Sequence, residues 1–301
     1  MSNKRAITIF TPTYNRAYIL PKCYESLNRQ TCKDFEWMII DDGSTDDTKA
    51  LVADWQNREN GYAIHYIYKE NGGLHTGYNT AIANMDTELS VCIDSDDAMP
   101  PNGVEMILDE WNRVKDTGAA GLIGLDVDQI GNLIGKKLPD ENLINAASLL
   151  CIPGMGDKKY VVRNDLLRTV APMPVFEGER NFNPHYMIIK LSRDYRFHPV
   201  NRCFCLVEYQ ADGMTANIYK QYMNSPNSFA ELRKAIMETP GLTWKYRLKN
   251  VVHYCSSSQI AGNRHYVRES PRKLLTVVCT PLGWVLTALI HKKARSTMRL
   301  K

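Results

Sequence analysis

Asp94-Ser95-Asp96 follows directly on an apolar run, Leu89 to Ile93, and is the sharpest chemical feature of the chain. Carboxylates at i and i+2 of an extended backbone point the same way. A hard divalent cation takes few carboxylates and completes its shell with phosphate oxygens and water. Two aligned acids at a strand end therefore suit a cation–diphosphate complex better than a closed protein cage. On its own a D-x-D triplet more often solvates a turn, but here it has company at other run ends. Asp41-Asp42-Gly43-Ser44 ends a second run, and an acid there can accept a hydrogen bond from a base imide or a ribose hydroxyl. Ser44, three residues before Asp47, reads as the start of a capping box. Pro12, Thr13 and Tyr14 end a third run and offer an aromatic ring able to stack on a flat base. Asn71-Gly72-Gly73 ends a fourth, where glycine lets backbone come close to a phosphate or simply makes a turn. His75 beside it reads as a structural or ligand-contacting residue.

These clusters need a scaffold that gathers them. The runs Ile7–Phe10, Trp37–Ile40, Ala63–Tyr68 and Leu89–Ile93 are continuously apolar or β-rich and alternate with helical patterns. Such runs predict a parallel sheet covered on both faces. Right-handed crossovers then bring all four strand ends to one edge, and ligands of such sheets sit outside that edge. Beyond Pro100-Pro101 the pattern predicts a helix over 103–114, strands over 119–127, 159–162 and 203–208, and a helix over 184–191. Ser225-Pro226 reads as a cap and first-turn proline opening a helix to Glu238. A further helix is expected over 243–257.

The 301 residues are 44% hydrophobic and 23% charged, an ordinary globular composition that disfavours disorder and low-complexity readings. No secretory core follows Lys4 and Arg5, and the eight cysteines show no C-x-x-C pair, so the expectation is a cytoplasmic protein with reduced, packed thiols. From Arg264 onward there are nine basic residues against one acid, Glu269. The net charge of +4 therefore hides a tail of +8 on a body of −4. An acidic body argues against a nucleic-acid partner, and a basic tail argues for something anionic.

Thr11-Pro12-Thr13-Tyr14-Asn15-Arg16, Gln30-Thr31, Asp41-Asp42-Gly43-Ser44-Thr45-Asp46, Asn71-Gly72-Gly73 and Asp94-Ser95-Asp96-Asp97, in that order, resemble the signature of family 2 glycosyltransferases over the first hundred residues. The resemblance implies an α/β GT-A fold, Rossmann-like with a mostly parallel sheet and flanking helices. It implies a nucleotide-sugar donor, UDP-linked by preference, Mn2+ or Mg2+, and transfer with inversion. Carried over by position, Pro12, Thr13, Tyr14 and Asp42 line the nucleoside pocket. Asn71, Gly73, His75, Asp94 and Ser95 lie along the rest of the donor. Asp94 and Asp96 are the cation ligands, Asp96 the stronger, and Asp97 can assist. Phe176-Glu177-Gly178-Glu179-Arg180 resembles the acidic motif that supplies the general base in some bacterial polysaccharide transferases. Glu179 matches best, although Arg180 replaces the usual final acid and leaves Asp165 and Glu177 as alternatives. Glu208 to Thr215 resembles a stretch that closes the catalytic domain in the same group. The expected division is a catalytic domain over 1–215, with a nucleotide half over 1–97 and an acceptor half over 98–215, then a helical region over 216–301. The expected acceptor is a lipid-linked or cell-surface glycan, including one on polyprenyl diphosphate. The rival readings are a nucleotidyltransferase, disfavoured because Thr11–Arg16 has no glycine, and a nucleotide-sugar-binding protein without transfer activity.

Leu274 to Ile290 is seventeen residues without a charge, flanked by Arg272-Lys273 and Lys292-Lys293 and interrupted by Pro281 and Gly283. That is short of the roughly twenty residues a spanning helix needs. The reading is an interfacial segment on anionic lipid at the inner face of the cytoplasmic membrane. A buried helix, a surface for self-association and a true span are its alternatives.

Overall fold

Every residue of Ile7–Thr13 is buried, as a strand covered on both faces must be, and this strand, β1, lies near the centre of a seven-stranded sheet. The computed structural model describes residues 4–208 and 218–299. Beside β1 run β2 (Phe35–Asp41), β3 (Ile64–Tyr68) and β4 (Leu89–Cys92), with β5 (Gly121–Asp128), β6 (Lys158–Arg163) and β7 (His198–Val207) beyond. The strand order is β3-β2-β1-β4-β6-β5-β7. β1 pairs in parallel with both β2 and β4, β2 with β3, and β5 with β7, while β6 is antiparallel to β4 and β5. The parallel sheet expected from the apolar runs is thus present, with one reversed strand inserted.

Alternation along the strands divides the core. Ile7, Ile9, Trp37 and Ile39 face one layer with Leu20, Cys23 and Leu27 of α1 (Leu20–Asn28), Val52 of α2 (Thr48–Gln56), and Val104 and Ile107 of α4 (Gly103–Val114). Phe10, Met38 and Ile40 face the other, with Ala81 and Ile82 of α3 (Leu74–Asn84), Leu166 of α5 (Asn164–Val170), and Met187 and Ile188 of α6 (His185–Leu191). Burying each such aliphatic side chain contributes about 1.5–3 kcal/mol relative to exposure. The chain runs from β1 outward to β2 and β3 and returns on the other side of β1 as β4. That reversal opens a crevice at the carboxyl ends of β1 and β4.

The remaining helices are α7 (Ile218–Asn224), α8 (Pro226–Glu238), α9 (Trp244–Ile260), α10 (Tyr266–Glu269) and α11 (Lys273–Arg299). Ala230 and Met237 of α8, Val251, Tyr254 and Cys255 of α9, and Cys279 of α11 form a core of their own.

Three local expectations are corrected. Ser44 does not cap α2, whose amino-terminal N–H at Thr48 goes to Asp46 Oδ1 at 3.1 Å. Ser44 Oγ instead accepts the Asn15 N–H at 2.8 Å, tying the first loop to the second. Ser225 likewise makes no side-chain cap for α8, although Pro226 does occupy its first turn. Finally, Pro281 does not break α11. Both Pro281 and Val277, whose carbonyl loses its partner, lie on the exposed side of the helix, where water can serve instead. Gly283 is required there because a Cβ would stand 2.5 Å from Cys255 Cβ of α9.

Candidate active site

Four loops leave the carboxyl edge together, and hydrogen bonds lock them to one another. Asn15 Oδ1 accepts the Thr45 N–H at 2.8 Å, and Asp46 Oδ2 accepts that of Ala17 at 2.9 Å. Asp41 Oδ1 accepts the Ser44 N–H at 2.7 Å, while Tyr66 donates to its other oxygen. Asp42 is buried, and its carboxylate accepts the Gly72 and Gly73 N–H groups at 2.9 and 2.8 Å as well as the Lys69 ammonium. The Asn71 side-chain amide donates to the Asp42 carbonyl at 2.8 Å. Asp42 therefore fixes the loop after β3 to the end of β2, and in this conformation its carboxylate is engaged by protein groups.

Gly73 has φ of 91°, and a Cβ on it would stand 1.9 Å from the Arg180 carbonyl oxygen. The glycine answers a close approach by the 176–182 loop. Gly73→Ala is expected to lower stability by about 2 kcal/mol or more, read as a fall in the denaturation midpoint. An unchanged midpoint would show that the 176–182 loop is not held against this turn. Thr13 and His75 are buried behind the loops, with Thr13 Oγ1 and both His75 ring nitrogens lacking hydrogen-bond partners among the described residues. Burial lowers the His75 pKa and keeps the ring neutral. Tyr14 is about half exposed above the end of β1, open to a stacking partner. Pro12 packs beneath, against Gly77 of α3.

The segment after β4 is not extended. The Asp97 N–H donates to the Asp94 carbonyl at 3.0 Å, closing a tight turn over 94–97, so i and i+2 do not share one direction. Asp94 lines a cavity of about 280 Å³ between β4, β6 and α6, while Asp96 forms an ion pair with Arg16 at 3.1 Å, bridging to the first loop. Ser95 is buried between them. Asp97 points inward to Lys159 at 3.4 Å and accepts from the Cys205 thiol at 3.4 Å. Burial raises the Asp97 pKa to about 6, offset in part by Lys159. Burial works against the Lys159 ammonium, but Cys205, Asp126, Asp97 and Asp94 around it raise its pKa well above the ordinary range. A fixed cation thus sits behind the acidic turn and keeps it compact.

The side of this cavity formed by β5, β6 and α6 holds groups that motif reading passed over: Asp126, Asp157, Lys159, Tyr160 and His185. Asp126 is 3% exposed, and its Oδ1 has no partner among the described residues. Burial chiefly raises its pKa, and Asp157 and Asp94 add to the shift. Burial lowers the His185 pKa to about 4. The available signal was Lys158-Lys159 opening the Tyr160–Val162 strand run, since cations buried at that point need acidic partners.

Residues 8–139 match the family model described as "Glycosyl transferase family 2". Over those residues, less than half of the chain, it resembles glycosyl transferase family 2. Chondroitin synthase of Escherichia coli is 33% identical over 130 residues, 43% of this chain but 19% of that protein. The Campylobacter jejuni GalNAc(5)-diNAcBac-PP-undecaprenol beta-1,3-glucosyltransferase is 25% identical over 244 residues, 76% of this chain and 74% of that protein. Against the first curated relatives it matches, the chain spans well under half of their length. Among solved structures, residues 1–349 of S. aureus TarS in complex with UDP-GlcNAc align with a TM-score of 0.57 at 15% identity, covering 91% of this chain and 79% of that one. The mannosyltransferase PcManGT from Pyrobaculum calidifontis, in complex with GDP-Man and Mn2+, aligns at 0.51 and 14% identity, covering 94% and 88%. These similarities establish the GT-A fold.

Within this GT-A fold Asp165 lies far from Glu177 and Glu179, which share one loop. Asp165 follows β6, whose Arg163 pairs with Leu89 at the start of β4, so it lies at the opposite, amino edge and is bound to Arg163 at 2.6 Å. It cannot reach the cavity. Glu177 is exposed on its loop. Glu179 is 6% exposed, with Oε1 accepting both the backbone and side-chain N–H of Asn227 at 2.8 Å. Its Oε2 accepts the Ser228 N–H at 2.7 Å and hydroxyl at 2.6 Å. Two of these four donors, the Asn227 and Ser228 backbone N–H groups, belong to the first turn of α8, which Ser225 leaves uncapped. Glu208, the described start of the Glu208–Thr215 stretch, pairs with Lys22 just after the Ala98–Leu206 bridge. Residues 209–215 of that stretch lie outside the described residues.

Proposed function

We propose that the protein is an inverting glycosyltransferase that moves a sugar from a nucleotide sugar, UDP-linked by preference, to a hydroxyl of a lipid-linked or cell-surface glycan. The observation that carries this reading is the joining of four strand-end loops around the crevice between β1 and β4, with Arg16 and Asp96 bridging the first loop to the acidic turn. The name of the Campylobacter jejuni relative, which includes PP-undecaprenol, supports a diphosphate-lipid glycan as acceptor.

Asp94 and Asp96 supply hard oxygen donors from a single turn, and no group of three potential ligands occurs among the described residues. That donor set fits a Mn2+ or Mg2+ whose shell a diphosphate completes, and such a cation would stabilise charge on the leaving diphosphate. Asp96 would exchange Arg16 for it, leaving the guanidinium free to face a phosphate oxygen. Tyr14 would stack on the nucleobase, with Thr13 and Pro12 beneath. Asp42 would act chiefly by holding the Gly72-Gly73 turn. Lys159 would keep the turn after β4 in place.

For the proton of the acceptor hydroxyl, the geometry supports Asp126 over Glu179. Asp126 lines the cavity with Asp94 and is made more basic by burial, whereas taking a proton on Glu179 would sacrifice hydrogen bonds that hold α8. Asp126→Asn is expected to lower kcat by roughly 10²–10⁴-fold with donor binding unchanged. Near-wild-type turnover in that variant, with loss in Glu179→Gln at an unchanged melting temperature, would return the role to Glu179. The function itself is tested by thermal shift against UDP-, GDP- and CMP-sugars with and without Mn2+, followed by a transfer assay. Donor binding without hydrolysis or transfer to any glycan would make this a binding protein.

A further inference from the structure

Helix α11 is amphipathic in the wrong sense for a helix facing water. Its small and polar residues face the protein: Thr276 and Cys279 are buried, Gly283 abuts Cys255 and Gln259, and Thr287 bonds Ser256 and Gln259 of α9. Most of its large apolar residues face outward at helical spacing, with Ile290 the buried exception. Leu274 is 87% exposed, Val278 73%, Leu282 56%, Val285 59%, Leu289 51% and Trp284 63%. Most exposed large hydrophobic residues of the described chain lie on this one face, whereas elsewhere they occur singly. Both ends of the stripe carry exposed cations, Arg272 and Lys273 at one and Lys292, Lys293 and Arg295 at the other.

We propose that the outward face of α11 docks in the plane of an anionic bilayer surface. Leu274, Val278, Leu282, Val285 and Leu289 would enter the acyl boundary, Trp284 the headgroup level, and the terminal lysines and arginines would hold lipid phosphates. Charge complementarity selects the occupant, since an apolar stripe closed at both ends by cations matches an apolar layer faced with anionic headgroups. A second copy of the chain would bring like charges together at both ends of the contact. Over Lys273–Arg295 the helix has the length and mean hydropathy, 1.8, to cross a bilayer. Spanning would nevertheless strip it from α9, exposing Thr276, Thr287 and the Gly283 contact to lipid and uncovering Cys255 and Ser256. α9 cannot accompany it, because that helix carries Lys245, Arg247 and Lys249 in its first turns. One-sided embedding satisfies both faces at once. The proposal does not depend on the glycosyltransferase reading.

The test is flotation of the full chain with phosphatidylcholine vesicles, with and without phosphatidylglycerol, at low and high salt. Binding is expected to require the anionic lipid and to weaken with salt. Val278→Glu with Leu282→Glu is expected to lower the partition coefficient by roughly tenfold or more, with circular dichroism and melting temperature unchanged. Lys292→Ala with Arg295→Ala is expected to weaken binding only to the anionic vesicles. Bound protein is expected to be released by alkaline carbonate. Unaltered flotation of the glutamate variant would overturn the docking face, and retention through carbonate would overturn the in-plane geometry. A wild-type dimer that the glutamates dissociate, without vesicle binding, would assign the stripe to self-association.

Discussion

Asp94→Asn is expected to reduce sugar transfer by roughly 10²–10³-fold, the scale lost when a principal electrostatic partner of a developing charge is removed. Its melting temperature should stay near that of the wild type. Asp94 lines the cavity beside β4, and its side-chain contact is a long one, 3.7 Å from the Cys92 thiol, so the variant loses no short hydrogen bond and only one of several acids around Lys159. Chelation of divalent cations should reduce the wild type comparably and the variant hardly further. Asp96→Asn is a different experiment, because it also releases Arg16. That ion pair is partly exposed, and such pairs contribute about 0–1 kcal/mol, so its loss should leave the fold intact. If Asp96 exchanges Arg16 for the cation, this variant should lose both turnover and Mn2+ dependence. An Asp94→Asn protein that still turned over at the wild-type rate, and was still inhibited by EDTA, would remove the turn after β4 from the reaction.

The sequence made β1, β2 and β4 legible because burial on both faces leaves a mark on nearly every position, whereas the edge strand β3, with no buried residue, showed only as a β-rich run. Ile7–Thr13 and Phe35–Asp41 have no solvent-facing side on which polar residues could alternate, so each reads as one apolar run that ends where the sheet ends. The polar clusters after them could therefore be assigned to one edge. Less legible was what each cluster does there. An i, i+2 argument presumes extended backbone, and the Asp97-to-Asp94 hydrogen bond turns the chain before it applies. Ser44 carried a capping signature, but a tertiary partner, the Asn15 N–H, took its hydroxyl. Residues 98–208 were legible least. β6 runs against its neighbours, and its Lys159 is matched by Asp97 and Asp126 from two other strand regions. Spacing along the chain contains no trace of such a partnership. The inside-out face of α11 also needed coordinates, since seventeen uncharged residues do not reveal which side meets α9.

Glu179→Ala is expected to destabilise the protein by about 3 kcal/mol, the scale for removing a buried charged acceptor from several donors at once. Two of the four groups it leaves are first-turn N–H groups of α8, at Asn227 and Ser228, and a carboxylate there also meets the positive end of the helix dipole. Ser225 does not serve these N–H groups, its hydroxyl being turned to the Asn181 N–H at 3.3 Å. Glu179→Gln should fall between wild type and alanine, since the amide retains one acceptor oxygen but turns an NH2 group toward donors. The two variants separate anchoring from chemistry. If Glu179 acts by pinning α8 to the 176–182 loop, activity should track the folded fraction, and cooling the glutamine variant should restore it. If it takes the acceptor proton, kcat should collapse in both variants even where the protein is fully folded. The anchoring outcome follows from a shared loop: the same segment places Arg180 against Gly73 and Asn181 against Gln221 of α7. Releasing Glu179 should therefore loosen the donor-side turn as well as α8, raising KM for the nucleotide sugar while kcat per folded molecule changes little.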